Sequence, residues 1–360
     1  MHALVGASSV DSVVRVTGNF ASESPLHPAA REALLAAFDQ GWADPKKLSQ
    51  SSSRAAILRN QAFENIAASL GIPVDSIEVL GEPSLGHLLS IEGLASPTSH
   101  FAYSDIDKGK IRAIARARSE QAISLNVNRE GAIQNLSSLP ENTVLSYQLA
   151  NGETGVIQDS LPDLAPSIRV TVDATASGPR LPLPSQWHTA LFDSQSWNGP
   201  SGIGIMAIRD RSQFAYPLPR IAPIYSPGSY SLPLLIGASI ALEKFTFEDP
   251  QLRDFAINNF SQIDGVEIVA PKSAALPHLF SISVKGISGE RAVRELAAIG
   301  VDIDSGSACS PEDLQPSHVL AAMGYETAGH LRFTLHQGTT EGDISALVSK
   351  VAEVIQKLRG

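Results

Sequence analysis

The chain's one cysteine, Cys309, lies in the run Ser305-Gly306-Ser307-Ala308-Cys309-Ser310, followed by Pro311, Glu312 and Asp313. A lone thiol is commonly a small buried hydrophobe. Here the neighbours are poor core residues and Gly306 permits unusual backbone angles, so the run predicts an exposed loop. The nearby acids raise the thiol pKa and slow its attack, so the expectation is an accessible sulfur without strong activation. Arg332 precedes the strand-like Phe333-Thr334-Leu335. Its planar fork suits either a ligand carboxylate or an acid of the chain itself. Asp173 ends a strand-like run and reads as a hydrogen-bonded acid. His100 reads as a partly buried structural histidine. The other histidines lack a spacing such as His-Glu-x-x-His, so no metal site is expected. No lysine stands between Lys110 and Lys244.

The elements that must position these groups alternate. Strand-like runs fall at Ile77 to Leu80, Ala122 to Val127, Val144 to Tyr147, Arg169 to Asp173 and Gly204 to Ile208. Helical patterns such as Arg54 to Leu70 and Lys108 to Arg118 lie between them. This alternation predicts a mostly parallel sheet covered on both faces. From about Ser231 the pattern changes to a long apolar helix and then a smaller α+β unit, with a strand over Leu279 to Val284 and a helix over Glu290 to Ala298. The expected division is a large α/β domain over 18–230 and a small domain of 1–17 with 231–360. The last helix starts at a capping-box pair, Thr340 and Asp343, and its apolar stripe from Ile344 to Leu358 reads as core.

A formal net charge of −10 argues against nucleic acid or an anionic membrane as the main partner. The apolar run Leu232 to Leu242 is too short to cross a bilayer. No basic-then-apolar leader opens the sequence, and a single cysteine fits a reducing cytoplasm.

The segment from Ala275 to Cys309, with Pro316-Ser317-His318-Val319-Leu320 and Arg332, resembles the cysteine desulfurases, which are class V aminotransferases of pyridoxal phosphate (PLP) fold type I. The resemblance implies a large doubly wound domain, a smaller α+β domain and a homodimer. It also implies that Cys309 is the persulfide-carrying thiol on a long mobile loop and that Arg332 stands at the substrate carboxylate. The middle of the chain departs from the family. Asn151-Gly152-Glu153-Thr154-Gly155 is similar to its Asn-Asn-Glu run, with Gly152 at a cofactor contact. Val172-Asp173-Ala174-Thr175-Ala176 keeps the acid for the pyridinium and places Ala176 at the glutamine. His100 falls at the ring-stacking histidine.

In Phe192 to Gly204 the resemblance puts Asp193 at a phosphate-binding serine, Gln195 at a histidine and Ser196 at the Schiff-base lysine. Glu82-Pro83-Ser84-Leu85 replaces a phosphate loop, and of an arginine-rich stretch only Ser229 remains to offer a hydroxyl. Serine can neither form the imine nor move the Cα proton as the lysine does. The resemblance therefore implies a degenerate member, a pseudoenzyme without bound PLP. Such a chain could serve as a partner or sulfur-relay protein through Cys309. Two alternatives stay open: an active PLP enzyme with unusual anchoring, and a structural or regulatory paralogue with an inert Cys309.

Overall fold

A computed structural model describes residues 18–39, 43–219, 230–306 and 316–360. Cys309, Ser229 and the segment 1–17 lie outside these residues. The chain opens with α1 (Pro28–Asp39) and α2 (Gln50–Leu70). Ser49 caps α2 by accepting from Ser52 N at 3.1 Å, and Gly71, at φ 64°, closes it in the left-handed region that glycine tolerates. Then follow β1 (Ile77–Leu80), α3 (Pro83–Glu92), β2 (His100–Ser104), α4 (Gly109–Arg118), β3 (Ala122–Leu125), β4 (Thr143–Gln148), β5 (Arg169–Asp173), β6 (Thr189–Asp193) and β7 (Gly204–Ile208).

These strands form one sheet in the order β1-β7-β6-β5-β4-β2-β3. The pairs from β3 to β6 are parallel, and β7 runs antiparallel to both β6 and β1. Successive side chains point to opposite faces, and both faces are covered. Phe101, Leu191 and Met206 pack under α3 and α4, while their neighbours Ala102, Phe192 and Ile205 pack with α2 on the other side. This is the doubly wound large domain of fold type I. The sequence pattern missed β2 and β6. Their runs, His-Phe-Ala-Tyr-Ser and Thr-Ala-Leu-Phe-Asp, carry few β-branched residues and are strands because neighbours pair on both sides.

The second half comprises α5 (Leu232–Glu243), α6 (Pro250–Phe260), β8 (Val266–Ile268), β9 (Leu279–Val284), α7 (Gly289–Ala298), α8 (His318–Met323), β10 (His330–Thr334) and α9 (Glu341–Arg359). The antiparallel sheet β10-β9-β8 carries a core in which the rings of Phe260, Phe280 and Phe333 meet at 4.8 to 5.7 Å. The α9 capping box is present, and Ile344, Leu347, Val351, Val354 and Ile355 are buried.

The expected domain boundaries shift at both ends. Helix α5 was assigned to the small unit, yet Leu235, Ala238 and Ala241 lie in the large-domain core with Ala30, Ala55 and Trp197. Trp197 Nε1 donates to Ala238 O at 3.0 Å. A Cβ on Gly237 would stand only 3.4 Å from Leu34 Cδ1, so the missing side chain lets α1 close on α5. Helix α5 is thus apolar on nearly all sides because the chain's own helices and sheet cover it. Residues 18–22 were assigned to the large domain. Phe20 instead packs in the small core, with its N–H donating to Asp302 O at 2.7 Å and its carbonyl accepting from Thr334 N at 2.8 Å.

Phe280 is 1% exposed and stacks on Phe333. Phe280→Ala should cost about 3–5 kcal/mol through lost transfer energy and a residual cavity. Urea unfolding checks this; a midpoint equal to that of the parent would contradict the packing.

Candidate functional site

In an open α/β sheet, ligands bind beyond the carboxyl ends of the parallel strands. Here that edge opens into a cavity of about 530 Å³, closed from the other side by Glu248, His278, α8 and the end of β10. Strand β2 delivers Lys108, the turn after β4 delivers Gly152 and Glu153, β5 delivers Thr175 and Ala176, and β6 delivers Asp193, Gln195 and Ser196.

Asp173 ends β5 and is buried. Its Oδ1 accepts from Thr175 N at 2.9 Å and from Thr175 Oγ1. Burial pushes its carboxyl up, but Lys108, His87 and the Thr175 hydrogen bonds outweigh burial and hold it below the usual carboxylate range. The Lys108 ammonium donates to Thr175 Oγ1, the hydroxyl that itself donates to this acid. A Cβ on Gly152 would lie 3.6 Å from Ala176 Cβ and 3.9 Å from Lys108 Cε. Two expected cofactor-contact positions are therefore small, and the lysine side chain runs beside them.

His100 does not join this site. It pairs with Thr143 at the start of β2, the opposite end of the strand from the cavity. The group that β2 presents to the cavity is Lys108, preceded by Asp107. The Asp107 carboxylate accepts from Ser104 N at 2.9 Å and Gln148 Nε2 at 2.9 Å. Burial, reinforced by the nearby Asp173, pushes it up to about 7. Both residues were missed because 100–104 was not recognised as a strand. Once it is, they follow at its carboxyl end.

Asp193 caps the tight turn Ser194–Trp197 by accepting from Gln195 N at 3.1 Å. Burial raises its carboxyl, and Asp173 and Glu82 raise it further against the pull of Lys108. Ser196 Oγ donates to Asp193 O at 2.7 Å, and Ser196 O accepts from Arg180 Nη1 at 2.6 Å. Arg180 also makes a buried two-armed pair with Glu248. Ser84 lies on the first turn of α3, outside the cavity wall. Glu82 caps that helix, its Oε1 accepting from Ser84 N at 3.0 Å and from Ser84 Oγ. The positive end of α3 is thus neutralised by the chain's own carboxylate.

Arg332 reaches the cavity already paired. Its Nη2 and Nε point to Asp304 Oδ2 at 2.7 and 3.3 Å, and Nη1 donates to Gly152 O at 3.2 Å. Of the two uses open to this fork, the geometry displays the ion pair. Beside it stands a network that the sequence did not suggest. His330 is buried, and burial lowers it to about 4, so it is neutral. Gly306 N donates to its Nδ1 at 3.0 Å, which leaves Nε2–H for Ser281 Oγ at 2.9 Å. Ser317 Oγ donates to Glu153 Oε2 at 2.7 Å. Gly306 and Ser317 flank the run that carries Cys309, and both are tied into this network, Ser317 through Glu153 of the cavity wall.

The aminotransferase class-V family model matches residues 219–347. The chain is 25% identical to the cysteine desulfurase IscS of Dictyoglomus turgidum, covering 95% of this chain and 94% of the relative. It is 26% identical to the IscS of Pectobacterium atrosepticum, covering 95% and 93%. Among solved structures, a NifS-like protein superposes with TM-score 0.84 at 19% identity, covering 95% of this chain and all of the other. The cysteine desulfurase CsdA of Escherichia coli superposes with TM-score 0.76 at 18% identity, covering 95% of each. With this fold, and a cavity at the strand ends where the motifs converge, the chain is similar along nearly its whole length to cysteine desulfurases, and its residues 219–347 match the aminotransferase class-V model.

Proposed function

We propose that this protein is a cysteine desulfurase-like family member that does not run PLP chemistry. The observation that carries this reading is Lys108. Its ammonium donates to Thr175 Oγ1, the hydroxyl that donates to Asp173, and its charge lowers the carboxyl of that acid, which would face a pyridinium. Asp173 is thereby supplied with a cation by the protein itself. The rest of the pocket supports the same reading. Ser196 stands where the imine lysine would be, and Glu82 already takes the backbone donor of α3 that a phosphate would use. Asp193 adds a further acid on that side. The residues present do not fit the cofactor.

The purified protein should show no aldimine absorption band, with or without added PLP. Ser196→Lys alone should leave it colourless, because Lys108 and Glu82 keep their places. A band that borohydride fixes to a lysine of the parent protein would overturn the reading.

Sulfur handling through Cys309 needs no cofactor. The Cys309 thiolate attacks the outer sulfur of a donor persulfide, forms a new S–S bond and expels the donor thiolate. The anchoring of Gly306 and Ser317 to His330 and Glu153 supports this role, because it ties both flanks of the run into the network around Glu153 of the cavity wall. Mass spectrometry after incubation with an active desulfurase and cysteine should show one added sulfur, absent in Cys309→Ser. If the parent stays unmodified and resists alkylation until denatured, Cys309 is structural.

A homodimer is the assembly proposed for the chain, through the face of α1 and α2. There Phe38 is 49% and Ile57 61% exposed, and Leu58 borders a groove against the start of α5. Sedimentation should show a dimer at micromolar concentration and a monomer for Ile57→Glu with Phe38→Glu. A monomeric parent would refute this assembly.

A further inference from the structure

Helix α4 departs from the charge of the rest of the chain. The protein carries a net charge of −10, yet Gly109–Arg118 holds Lys110, Arg112, Arg116 and Arg118 and no acid, with Lys108 just before it. Arg118 is paired with Glu92 at 2.6 Å. Arg112 Nη1 donates to Asp105 O at 2.8 Å, a carbonyl rather than a carboxylate. Among the described residues, Lys110, Arg112 and Arg116 have no carboxylate within ion-pair distance. Of the flanking acids, Asp105 is engaged by Ser124 Oγ, Glu120 follows the helix, and Glu82 feels Lys110 only as the least of its influences. Ile111, Ile114 and Ala115 are buried, so Lys110, Ala113, Arg116 and Ala117 share the exposed face. This arrangement works against the helix. Lys108 and Lys110 stand at its positive end, where no side chain caps it, and Arg112 and Arg116 repel at i, i+4.

The place of α4 gives this charge a use. The helix starts at the cavity, which Lys108 and Gly109 line. His318 Nε2 donates to Asp107 O at 2.9 Å, so the first residue of α8 is fastened to the residue before Lys108. Ser317, next to His318, follows the run that carries Cys309. We infer that the exposed face of α4 is the docking surface for an acidic protein, the partner that exchanges sulfur with Cys309. This rests on the sulfur role proposed above. Carboxylates complement the three unpaired cations, and guanidinium forks bind them with two prongs. Ala113 and Ala117, set among the cations, let another chain approach closely. A nucleic acid or an anionic bilayer would extend past this short helix onto a surface with an excess of acids.

The test is fluorescence anisotropy of the full chain with a labelled peptide that alternates Glu and Ala and ends in a cysteine. A peptide alternating Lys and Ala is the control. The acidic peptide should bind and the basic one should not. Lys110→Glu with Arg116→Glu should weaken binding at least about tenfold. Lys46→Glu with Lys47→Glu, the same charge change on the turn before α2, should weaken it less than about twofold. The altered α4 side chains are exposed, so circular dichroism of that variant should match the parent. No binding at millimolar concentration, or equal weakening in the two double variants, overturns the inference. So does tighter binding of a single-stranded oligonucleotide or of phosphatidylserine vesicles through the same residues. A parent dimer that Lys110→Glu with Arg116→Glu dissociates would assign the face to a second copy instead. Once Cys309 carries a persulfide, the bound peptide's thiolate should attack its outer sulfur and expel the Cys309 thiolate. This transfer should run at least about tenfold faster than with a neutral peptide, through effective concentration. Equal rates for the two peptides remove sulfur exchange from the docked partner. If Cys309 never takes up sulfur while the acidic peptide still binds, the sulfur role falls and the docking face stands.

Discussion

A carboxylate buried at the end of a central strand must be protonated, paired or hydrogen-bonded, because an isolated charge in that setting is too costly to keep. Asp173 is such a group, and the way it is satisfied organises the pocket. Thr175 supplies two hydrogen bonds and Lys108 supplies the positive charge. The lysine chain passes close to Gly152, where a Cβ would stand 3.9 Å from Lys108 Cε. Asp173, Thr175 and Lys108 thus form one local solution. With Arg180 paired to Glu248 and Arg332 to Asp304, Lys108 is the remaining base of the wall, and its charge acts on both Asp173 and Asp193.

The same logic applies at the two turns that would have held phosphate and amine. Asp193 and Glu82 are both helix-cap acids, each accepting from the backbone N–H two residues ahead. Capping is a sufficient physical reason for an acid at either place. It also makes each turn self-contained. The backbone donors that open toward ligands in an anion-binding turn are here satisfied from within the chain.

The fold was legible where periodicity is strong. Strands β1, β5, β7 and β9, the α9 stripe and its capping box all lie where the pattern puts them. Strands β2 and β6 were not legible, because their β character comes from pairing rather than from side-chain type. The resemblance put His100 at the ring-stacking histidine, whereas His100 opens β2 and Lys108, beyond its carboxyl end, lines the cavity. The apolar run of α5 was read correctly as a helix, but its partners α1 and α2 lie some two hundred residues away along the chain, and a run apolar on all sides says nothing about which neighbours cover it. Gly152, Ala176, Asp193, Gln195 and Ser196 do converge, since each sits in a motif tied to a strand end. The Glu153–His330 network was invisible because it joins residues far apart in sequence that carry no shared motif.

The backbone around the cavity is stitched across the two halves of the molecule. Ile157 N donates to Ala274 O and Leu276 N to Gly155 O, each at 2.8 Å, and Ser281 Oγ holds Glu153 O at 2.6 Å. Arg332 clasps Gly152 O from the small unit, and the buried Arg180–Glu248 pair clamps the connector before α6. These ties set the width of the cup in the free protein. Occupancy therefore does not have to be coupled to a rocking of one half against the other. A molecule entering it would meet a preformed vessel, whose filling is governed by passage through the mouth rather than by closure of the walls.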